Sequence, residues 1–494
     1  MTVASEVRGS FGSSVDSITL SDRIVMKDKG KRAVAHSDNT KKKRGPVAPT
    51  PVKGKKKGRK KKSIDEPVGI TDRYNAVFII FNFLGIASLL PWNFFTTAKK
   101  YFDYKFRNTS LPPGTPFDSE DVATDLQTSF ESYLAISSML SNLIFMFFTM
   151  LCVRNISLNV RMVVSSAVII IIFTMTVVLV NVDTDSWQFG FFLLTMISAA
   201  IMVGLTSVMT GSIFGLSCLF PSRYTRSAMS GQALGGTLAA VAMIVALAAG
   251  EDERNSAFGY FVSATVASVL ALVAYFSLYY LKYSKYFLVN QEDNKICEVN
   301  EEMPSYRDLL TQRQYFASII SKVWPYCTTV CLVFFVTLAC YPGLASIIKS
   351  VNYEAGDAWT DKYFSAVVCF LLFNVGDWVG RSVTSWVHVP RNGQGKLMMV
   401  LAVLRVAFLP LLMLCNAKPH DRQLPVILNS DIFPIVFILL LGLTNGYLST
   451  LAMVYGPTHV RLEQAEGAGL VMTFGLVLGL ACGSFFSLLL IALV

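Results

Sequence analysis

One acid and one base stand a helical turn apart inside a long apolar stretch of this chain. Asp377 and Arg381 lie within residues 363–389, in the run F-N-V-G-D-W-V-G-R. Phe370 and Asn374 precede them, so the four residues are spaced four, three and four apart and share one face of a helix. Because charge is costly to bury in hydrocarbon, the two are expected to pair and to face a bundle interior or a watery cavity.

This pair has two interpretations. In the first, it is an ion pair that only fixes how helices pack, as many buried pairs do. In the second, it is a polar site in a path across a membrane, where it would bind a solute by hydrogen bonds. The residues themselves leave both interpretations open.

The composition indicates a polytopic membrane protein. Of 494 residues, 53% are hydrophobic and 15% are charged, and the mean hydropathy is +0.49, too apolar for a soluble globular chain. The net charge of +10 comes from a tail, because twelve Lys and Arg and no acid lie between residues 41 and 62. The nine cysteines fall mostly in apolar runs and are interpreted as small buried hydrophobes, not as a disulfide framework.

The sequence carries no signature of catalysis, metal binding or ATP use. None of the four histidines has a metal-ligand spacing, and no G-x-x-x-x-G-K-[ST] run occurs. No apolar run holds a nucleophile with a matching base. We therefore expect no enzyme activity, no catalytic residues, no metal and no cofactor.

Eleven apolar runs each reach the roughly 20 residues that a bilayer crossing needs. They cover about residues 74–98, 130–153, 162–182, 189–219, 227–249, 256–281, 323–346, 363–388, 397–415, 432–455 and 467–493. They predict an all-α polytopic protein with eleven transmembrane helices. A long connection divides them six plus five, which favours two bundles around a midplane site, as in secondary transporters. The expected divisions are a disordered basic cytosolic tail (1–72), a six-helix bundle (73–281), a cytosolic linker (282–322) and a five-helix bundle (323–494).

Lysine and arginine asymmetry predicts the orientation. The basic tail places the N-terminus in the cytosol, and eleven crossings place the C-terminus outside or in a lumen. Four basic residues that open the first outer loop oppose this assignment, but the bias of the tail is larger: Lys99, Lys100, Lys105 and Arg107. Asn108 begins an N-T-S glycosylation sequon in that loop, which requires an outer or lumenal face.

The tail itself is expected to lie on the lipid bilayer, against anionic headgroups of the cytoplasmic leaflet. Nucleic acid is the alternative partner for such a run of Lys and Arg. It is disfavoured, because a multispan protein cannot diffuse freely to the nucleus.

The first two runs contain further candidates. Pro91 can kink the first helix and open a cavity, and Leu89 and Trp92 lie on one face of it. Trp92 is either an interfacial belt residue or a plane on which a flat heterocycle stacks. In the second run, Met139 and Asn142 lie three apart. Met alone is usually core filler, whereas an Asn within a span is expected to make a specific hydrogen bond.

Signals in the later runs are weaker, because each has a packing interpretation. Thr210 can bond its own backbone. The small residues at 230–236 are expected to pack helices, with Gln232 as a minor candidate for solute contact. Asn445, followed by glycine, is interpreted as a polar packing point rather than a hinge. Glu466, at the start of the last run, suits the helix dipole, and a gating contact is the alternative.

Together these stretches resemble the equilibrative nucleoside transporter family (solute carrier family 29). The motifs are L-L-P-W-N-F-F-x-T-A-x-x-Y-F at 89–102, F-N-x-x-D-W-x-G-R at 373–381, N-G-Y-L at 445–448 and L-x-L-G-L-x-x-G at 476–483. The resemblance runs from about residue 71 to 494. It implies a major-facilitator-like fold with eleven helices and facilitated diffusion of purine and pyrimidine nucleosides, in some members of nucleobases.

The resemblance also implies roles for individual residues. In the family, the acid and the arginine of the eighth helix contact the nucleoside and its ribose hydroxyls, and the tryptophan region of the first helix packs on the solute. This agrees with side-chain chemistry, since a carboxylate accepts from paired hydroxyls and a guanidinium donates to ring or sugar oxygens. The expected substrate-binding residues are Leu89, Trp92, Met139, Asn142, Thr210, Asn374, Asp377, Arg381 and Leu480.

Some positions depart from the family pattern. Thr210 stands where plasma-membrane members carry a base-reading Gln, which leaves base preference open. Residues 130–135 and 182–187 are most similar to a lysosomal subgroup. Ala246, however, stands where that subgroup has a pH-sensing acid, and its acidic dileucine signal is absent. These departures favour the plasma membrane over the lysosomal or late endosomal membrane.

The sequence thus predicts a nucleoside uniporter whose two bundles rock about a central site. A proton-coupled symporter for nucleosides or nucleobases is the near alternative. A receptor that binds a solute without moving it is the distant one.

Overall fold

The computed structural model describes residues 71–110, 123–153, 155–249, 253–288, 306–354, 356–417 and 425–493. The expected disordered tail lies outside these residues except for its last two positions, and so does much of the expected linker.

Within the described ranges, eleven helices are long and apolar enough to cross a membrane, which confirms the number of spans. Their bounds are α1 Ala76–Thr97, α2 Asp125–Cys152, α3 Leu158–Asn181, α4 Gln188–Ser217, α5 Ser222–Ala249, α6 Glu253–Ser277, α7 Tyr306–Cys340, α8 Ala358–Val383, α9 Gly395–Met413, α10 Ile432–Tyr455 and α11 Ala465–Leu493.

Two helices differ from their apolar runs. Helix α7 begins at Tyr306, well before the run at 323, because its first turns are polar and hydropathy marks only the part suited to hydrocarbon. Helix α8 starts with wide π-helical turns and becomes a regular α-helix only at Leu372. π-helical turns are frequent at functional sites, and here they precede the segment that carries the charged pair.

The first six helices and the last five form two similar groups. In the first, α1 packs on α5, α2 on α4 and α3 on α6; in the second, α7 packs on α11, α8 on α10 and α9 on α7. The groups meet along two seams. Helix α8 packs against α5 in one seam, and α11 packs against α2 and α4 in the other.

Glycines set how closely these helices approach. A Cβ atom on Gly231 of α5 would lie 1.9 Å from the carbonyl oxygen of Asn82 in α1, and one on Gly85 would lie 2.1 Å from that of Ala228. The run at 230–236 therefore packs helices, as predicted. A Cβ on Gly446 of α10 would lie 2.0 Å from the carbonyl oxygen of Asp377 in α8.

Three of the four basic residues that follow α1 have polar partners. Lys99 pairs with Glu131 at 2.9 Å, and Arg107 pairs with Asp185 at 2.7 Å. Lys105 donates to the carbonyl oxygen of Val182, 2.7 Å away at the end of α3, and burial lowers the pKa of Lys105. Two of the four positive charges in this cluster are thus balanced by acids.

Gly446→Ala is expected to lower the thermal midpoint of the purified protein, because the added methyl group would push α10 away from α8. Overpacking of this kind costs about 1–3 kcal/mol. Gly259→Ala in α6 is the matched control, since nothing lies within 4 Å of a Cβ there. The control is expected to be neutral or slightly stabilising. Equal midpoints for the two variants in a detergent thermal-shift assay would contradict this packing.

Candidate functional site

Asp377 and Arg381 form the expected ion pair. The Nε and Nη2 atoms of Arg381 lie 3.0 and 2.9 Å from Oδ2 of Asp377. The two residues are 5% and 4% exposed, so the pair is turned into the protein and not toward lipid. Trp378, which lies between them in sequence, is exposed on the other side of α8.

The carboxylate is held from a second side by α10. Asn445 donates from Nδ2 to Oδ1 of Asp377 at 2.7 Å. The hydroxyl of Thr337 in α7 lies 2.8 Å from the Oδ1 atom of Asn445. Asn445 therefore acts as polar packing, as predicted, and it also orients the acid.

The guanidinium of Arg381 reaches across the seam to α5. Its Nη1 donates to the carbonyl oxygen of Met229 at 2.8 Å and to Oε1 of Gln232 at 3.4 Å. Gln232 donates in turn to the hydroxyl of Ser88 at 3.1 Å, one residue before Leu89 in α1. The minor candidate Gln232 is thus a direct neighbour of the charged pair, and one polar network joins α1, α5, α8 and α10.

Asn374 lies one turn earlier on α8 and also faces α5. Its Nδ2 donates to the hydroxyl of Tyr341 at 3.2 Å, and a Cβ on Gly236 would lie 2.2 Å from its Oδ1. Tyr341, which follows α7, stacks on Phe373 with ring centroids 3.9 Å apart. Tyr341 was not predicted from the sequence, because nothing in the apolar run of α7 distinguishes it from other aromatic residues.

A second arginine, Arg405 in α9, was also missed. It is 3% exposed and donates to Thr337 at 2.8 Å, to Thr444 at 3.0 Å and to the carbonyl oxygens of Val333 and Leu441 at 2.7 and 3.1 Å. The available signal was an arginine inside the run at 397–415. Intramembrane charge of this kind marks a functional candidate by default.

The other predicted residues fall into two groups. Leu89 and Trp92 continue α1 from Ser88, beside the polar network, and both are half-buried. Four others lie on three helices that pack together in the second seam: Met139 and Asn142 on α2, Thr210 on α4 and Leu480 on α11. Thr210 is buried and the other three are half-buried. The backbone carbonyl of Asn142 accepts from Ser207 of α4 at 3.2 Å.

Glu466 makes an ion pair that joins the two halves. At the start of α11, its carboxylate contacts the guanidinium of Arg161 at the start of α3, with side chains 7% and 3% exposed. The acid also packs on Gly215 near the end of α4. Arg161 was not among the predicted site residues, since its partner lies 305 residues away in the chain.

Two cavities lie between the described helices. The larger, about 500 Å³, lies between α8, α9 and α10 and is lined mainly by apolar side chains, with Arg405 in its wall. The smaller, about 250 Å³, lies between α1, α5 and α6 and includes Ala246. Asp377 and Arg381 line neither cavity and are almost fully buried, so the contacts between α8 and α5 cover them in this conformation.

The described side chains suit binding by hydrogen bonds. Among them, no three His, Cys, Asp or Glu residues stand close enough to hold a metal ion. None of the eight cysteines in the described ranges forms a disulfide with another of them. The carboxylate of Asp377 already accepts three hydrogen bonds of the roughly four it can take. A solute hydroxyl would therefore use the remaining acceptor position or replace one of these donors.

Comparisons with known proteins agree on one family. A family model described as "Nucleoside transporter" matches residues 196–492. "Equilibrative nucleoside transporter 3" of Rattus norvegicus is 39% identical over 424 residues, covering 84% of this chain and 88% of the relative. "Equilibrative nucleoside transporter 1" of Homo sapiens is 34% identical, covering 86% of this chain and 98% of the relative.

Among solved structures, the major facilitator superfamily proton:xylose symporter XylE bound to 6-bromo-6-deoxy-D-glucose aligns with a TM-score of 0.53 at 11% identity. The alignment covers 83% of this chain and 87% of that structure. At this identity the likeness shows the fold alone, and it confirms the major-facilitator-like architecture.

Asp377→Asn is expected to destabilise the protein strongly, because it leaves the buried guanidinium of Arg381 without its carboxylate. Breaking a buried pair costs about 3–5 kcal/mol. Asp185→Asn is the matched control, since its pair with Arg107 has side chains 37% and 25% exposed. That change should cost less than about 1 kcal/mol. Thermal unfolding of both purified variants tests this, and a similar small shift in each would contradict it.

Proposed function

The chain belongs to the nucleoside transporter family, and on that premise we propose that it moves nucleosides across a membrane by facilitated diffusion. It is a multi-pass membrane protein with a major-facilitator-like fold. Its family is one of transporters, so we assign it no catalytic role. The observation that carries the proposal is a charged pair in the seam between the two halves, where α8 meets α5.

The chemistry of the seam suits a nucleoside. Asp377 accepts hydrogen bonds, as paired ribose hydroxyls require, and Arg381 donates, as ring or sugar oxygens require. In this structure, Arg381 donates hydrogen bonds to Asp377 and to two acceptors of α5. A nucleoside that offers hydroxyls and carbonyl oxygens can replace the α5 acceptors as the seam opens. The buried charges then keep polar partners throughout the cycle.

The remaining site residues supply the surface around the base. Trp92 offers an aromatic plane for stacking, and Leu89, Met139 and Leu480 offer apolar contacts. Asn142, Thr210 and Asn374 can donate and accept hydrogen bonds. Thr210 is shorter than Gln, so it suits bases of either class. We propose purine and pyrimidine nucleosides as substrates, with no cofactor.

The contact between Arg161 and Glu466 is proposed as a gate. It joins α3 of one half to α11 of the other at helix ends that face the cytosol in the predicted orientation. Two nitrogens of Arg161, Nε and Nη1, have no hydrogen-bond partner among the described residues. Unsatisfied buried donors cost about 1–3 kcal/mol. These unsatisfied donors lower the stability of the closed contact between Arg161 and Glu466, which suits a gate that must open.

We propose the plasma membrane as the location, with a lysosomal or late endosomal membrane as the alternative. The N-terminus lies in the cytosol and the C-terminus outside. This orientation is supported by Asn108, which is exposed in the loop after α1 and is the proposed glycosylation site. The basic tail is proposed to bind anionic lipid headgroups.

Asp377→Ala and Arg381→Ala are each expected to abolish uptake of radiolabelled uridine and adenosine, because each removes a direct partner of the solute. Uptake is measured in cells that lack nucleoside transport, with surface protein quantified in parallel. Asp185→Asn serves as the control with normal uptake. Normal uptake in both site variants would refute the site.

The same assay, run with and without a pH gradient, separates the transport classes. A uniporter equilibrates uridine to the same final level in both conditions. Accumulation that follows the proton gradient would identify a symporter. Binding without uptake would identify a receptor.

Charge reversal tests the gate. Arg161→Glu and Glu466→Arg each place like charges together, so each should lower uridine uptake severalfold at equal surface expression. The double variant should recover much of it, because the opposite pair is restored. Reversal of Lys99 and Glu131, an exposed pair with side chains 51% and 61% accessible, is the control and should have little effect. Failure of the double variant to recover would contradict the pairing.

A further inference from the structure

Arg405 is a buried cation without a carboxylate among its hydrogen-bond partners. It lines the large cavity between α8, α9 and α10, and it donates hydrogen bonds to α7 and α10, one of them to Thr444 in the wall of the same cavity. An arginine near lipid usually extends its charge toward the membrane surface. Arg405 instead keeps its charge within the last five helices.

A continuous chain of hydrogen bonds leads from Arg405 to Asp377. Nη2 of Arg405 donates to the Thr337 hydroxyl at 2.8 Å, and that hydroxyl lies 2.8 Å from Oδ1 of Asn445. Asn445 then donates from Nδ2 to Oδ1 of Asp377 at 2.7 Å.

The direction of this chain is set by Arg405. The Thr337 proton has two acceptors at 2.8 Å, Asn445 and the carbonyl oxygen of Val333. Arg405 also donates to Val333 at 2.7 Å and so occupies part of that carbonyl. This favours the bond from Thr337 to Asn445. The amide nitrogen of Asn445 must then face Asp377, because a flipped amide would turn its oxygen toward the Asp377 carboxylate.

The two arginines differ in whether their hydrogen bonds cross the seam between the two halves. Arg381 bonds to α5, in the other half, so its contacts change when the halves move. Arg405, Thr337, Asn445 and Asp377 all belong to the last five helices, so their chain is kept. Asp377 is therefore bonded to Arg381, whose contacts with α5 change with conformation. It is also bonded to the chain from Arg405 through Thr337 and Asn445, which is kept.

We propose that Arg405 is a positioning residue that, through Thr337 and Asn445, holds the Asp377 carboxylate in the orientation that accepts ribose hydroxyls. This inference rests on the proposed function. It assigns to α9, which carries no predicted site residue, a part in recognition of the sugar.

The test compares uridine with 3′-deoxyuridine, which lacks one ribose hydroxyl. In the wild-type protein, 3′-deoxyuridine should have a KM roughly tenfold higher, the value of one hydrogen bond to a charged group. Arg405→Met should raise the KM for uridine roughly tenfold and bring the ratio of the two KM values close to one. The maximal rate per surface transporter should change much less. Arg405→Lys keeps the charge but not the fork of donors, and should fall between.

Two further variants provide a second test of the chain and a control. Thr337→Val removes the hydroxyl but keeps the shape of the side chain, so it should lower the KM ratio even if Arg405→Met fails to reach the surface. Val403→Ile is the matched control on α9, since Val403 is 52% exposed and does not line the cavity. It should keep the wild-type ratio.

The outcomes distinguish a failure of ribose recognition by Asp377 from a failure of the positioning role of Arg405. If the wild-type protein does not distinguish the two nucleosides, ribose recognition by Asp377 is wrong and the positioning role falls with it. If the wild type distinguishes them and both Arg405→Met and Thr337→Val keep the same ratio while losing only rate, the positioning role alone is overturned.

Discussion

The carboxylate of Asp377 is the constraint on which the rest of this structure depends. It lies where hydrocarbon would forbid a lone charge, and donors from three helices satisfy it directly or through one intermediate. With Arg381 and Arg405 nearby, the network holds two cations and one anion. Such a cluster is stable only while every member keeps a polar partner. A solute that enters must therefore replace the bonds it breaks, and this links binding to movement of the seam.

The backbones of α8 and α10 approach so closely that the short side chains of Asp377 and Asn445 can bond to each other. Gly376 precedes Asp377, Gly380 precedes Arg381 and Gly446 follows Asn445, and each glycine lies against the backbone of the facing helix. With no Cβ between them, α8 and α10 come close enough for an asparagine to reach an aspartate directly. The same device joins α1 to α5 and lets Gly236 face Asn374 across the seam. Packing and recognition thus use the same glycine positions, so changes at these glycines should affect both.

Much of the fold could be predicted because bilayer crossing imposes a length and a composition that hydropathy detects. The polar first turns of α7 and the π-helical start of α8 could not, since neither changes the apolar content of its run. In the site, the spacing of Asp377 and Arg381 on one helix revealed their pairing. Arg161 and Glu466 are 305 residues apart, and only tertiary structure brings them together. Arg405 was visible as a charge in an apolar run, but its chain to Asp377 depends on a threonine that the sequence does not distinguish from packing residues.

The most direct test of the central claim is a binding cycle between one side chain and one ligand group. Equilibrium binding of uridine and 3′-deoxyuridine is measured on purified wild-type protein and on Asp377→Asn. If the carboxylate accepts from the ribose, loss of the hydroxyl should weaken binding to the wild type but hardly affect the variant, giving a coupling energy of about 1 kcal/mol or more. Additive effects, with the hydroxyl worth the same in both proteins, would show that Asp377 does not contact the sugar and would contradict this account.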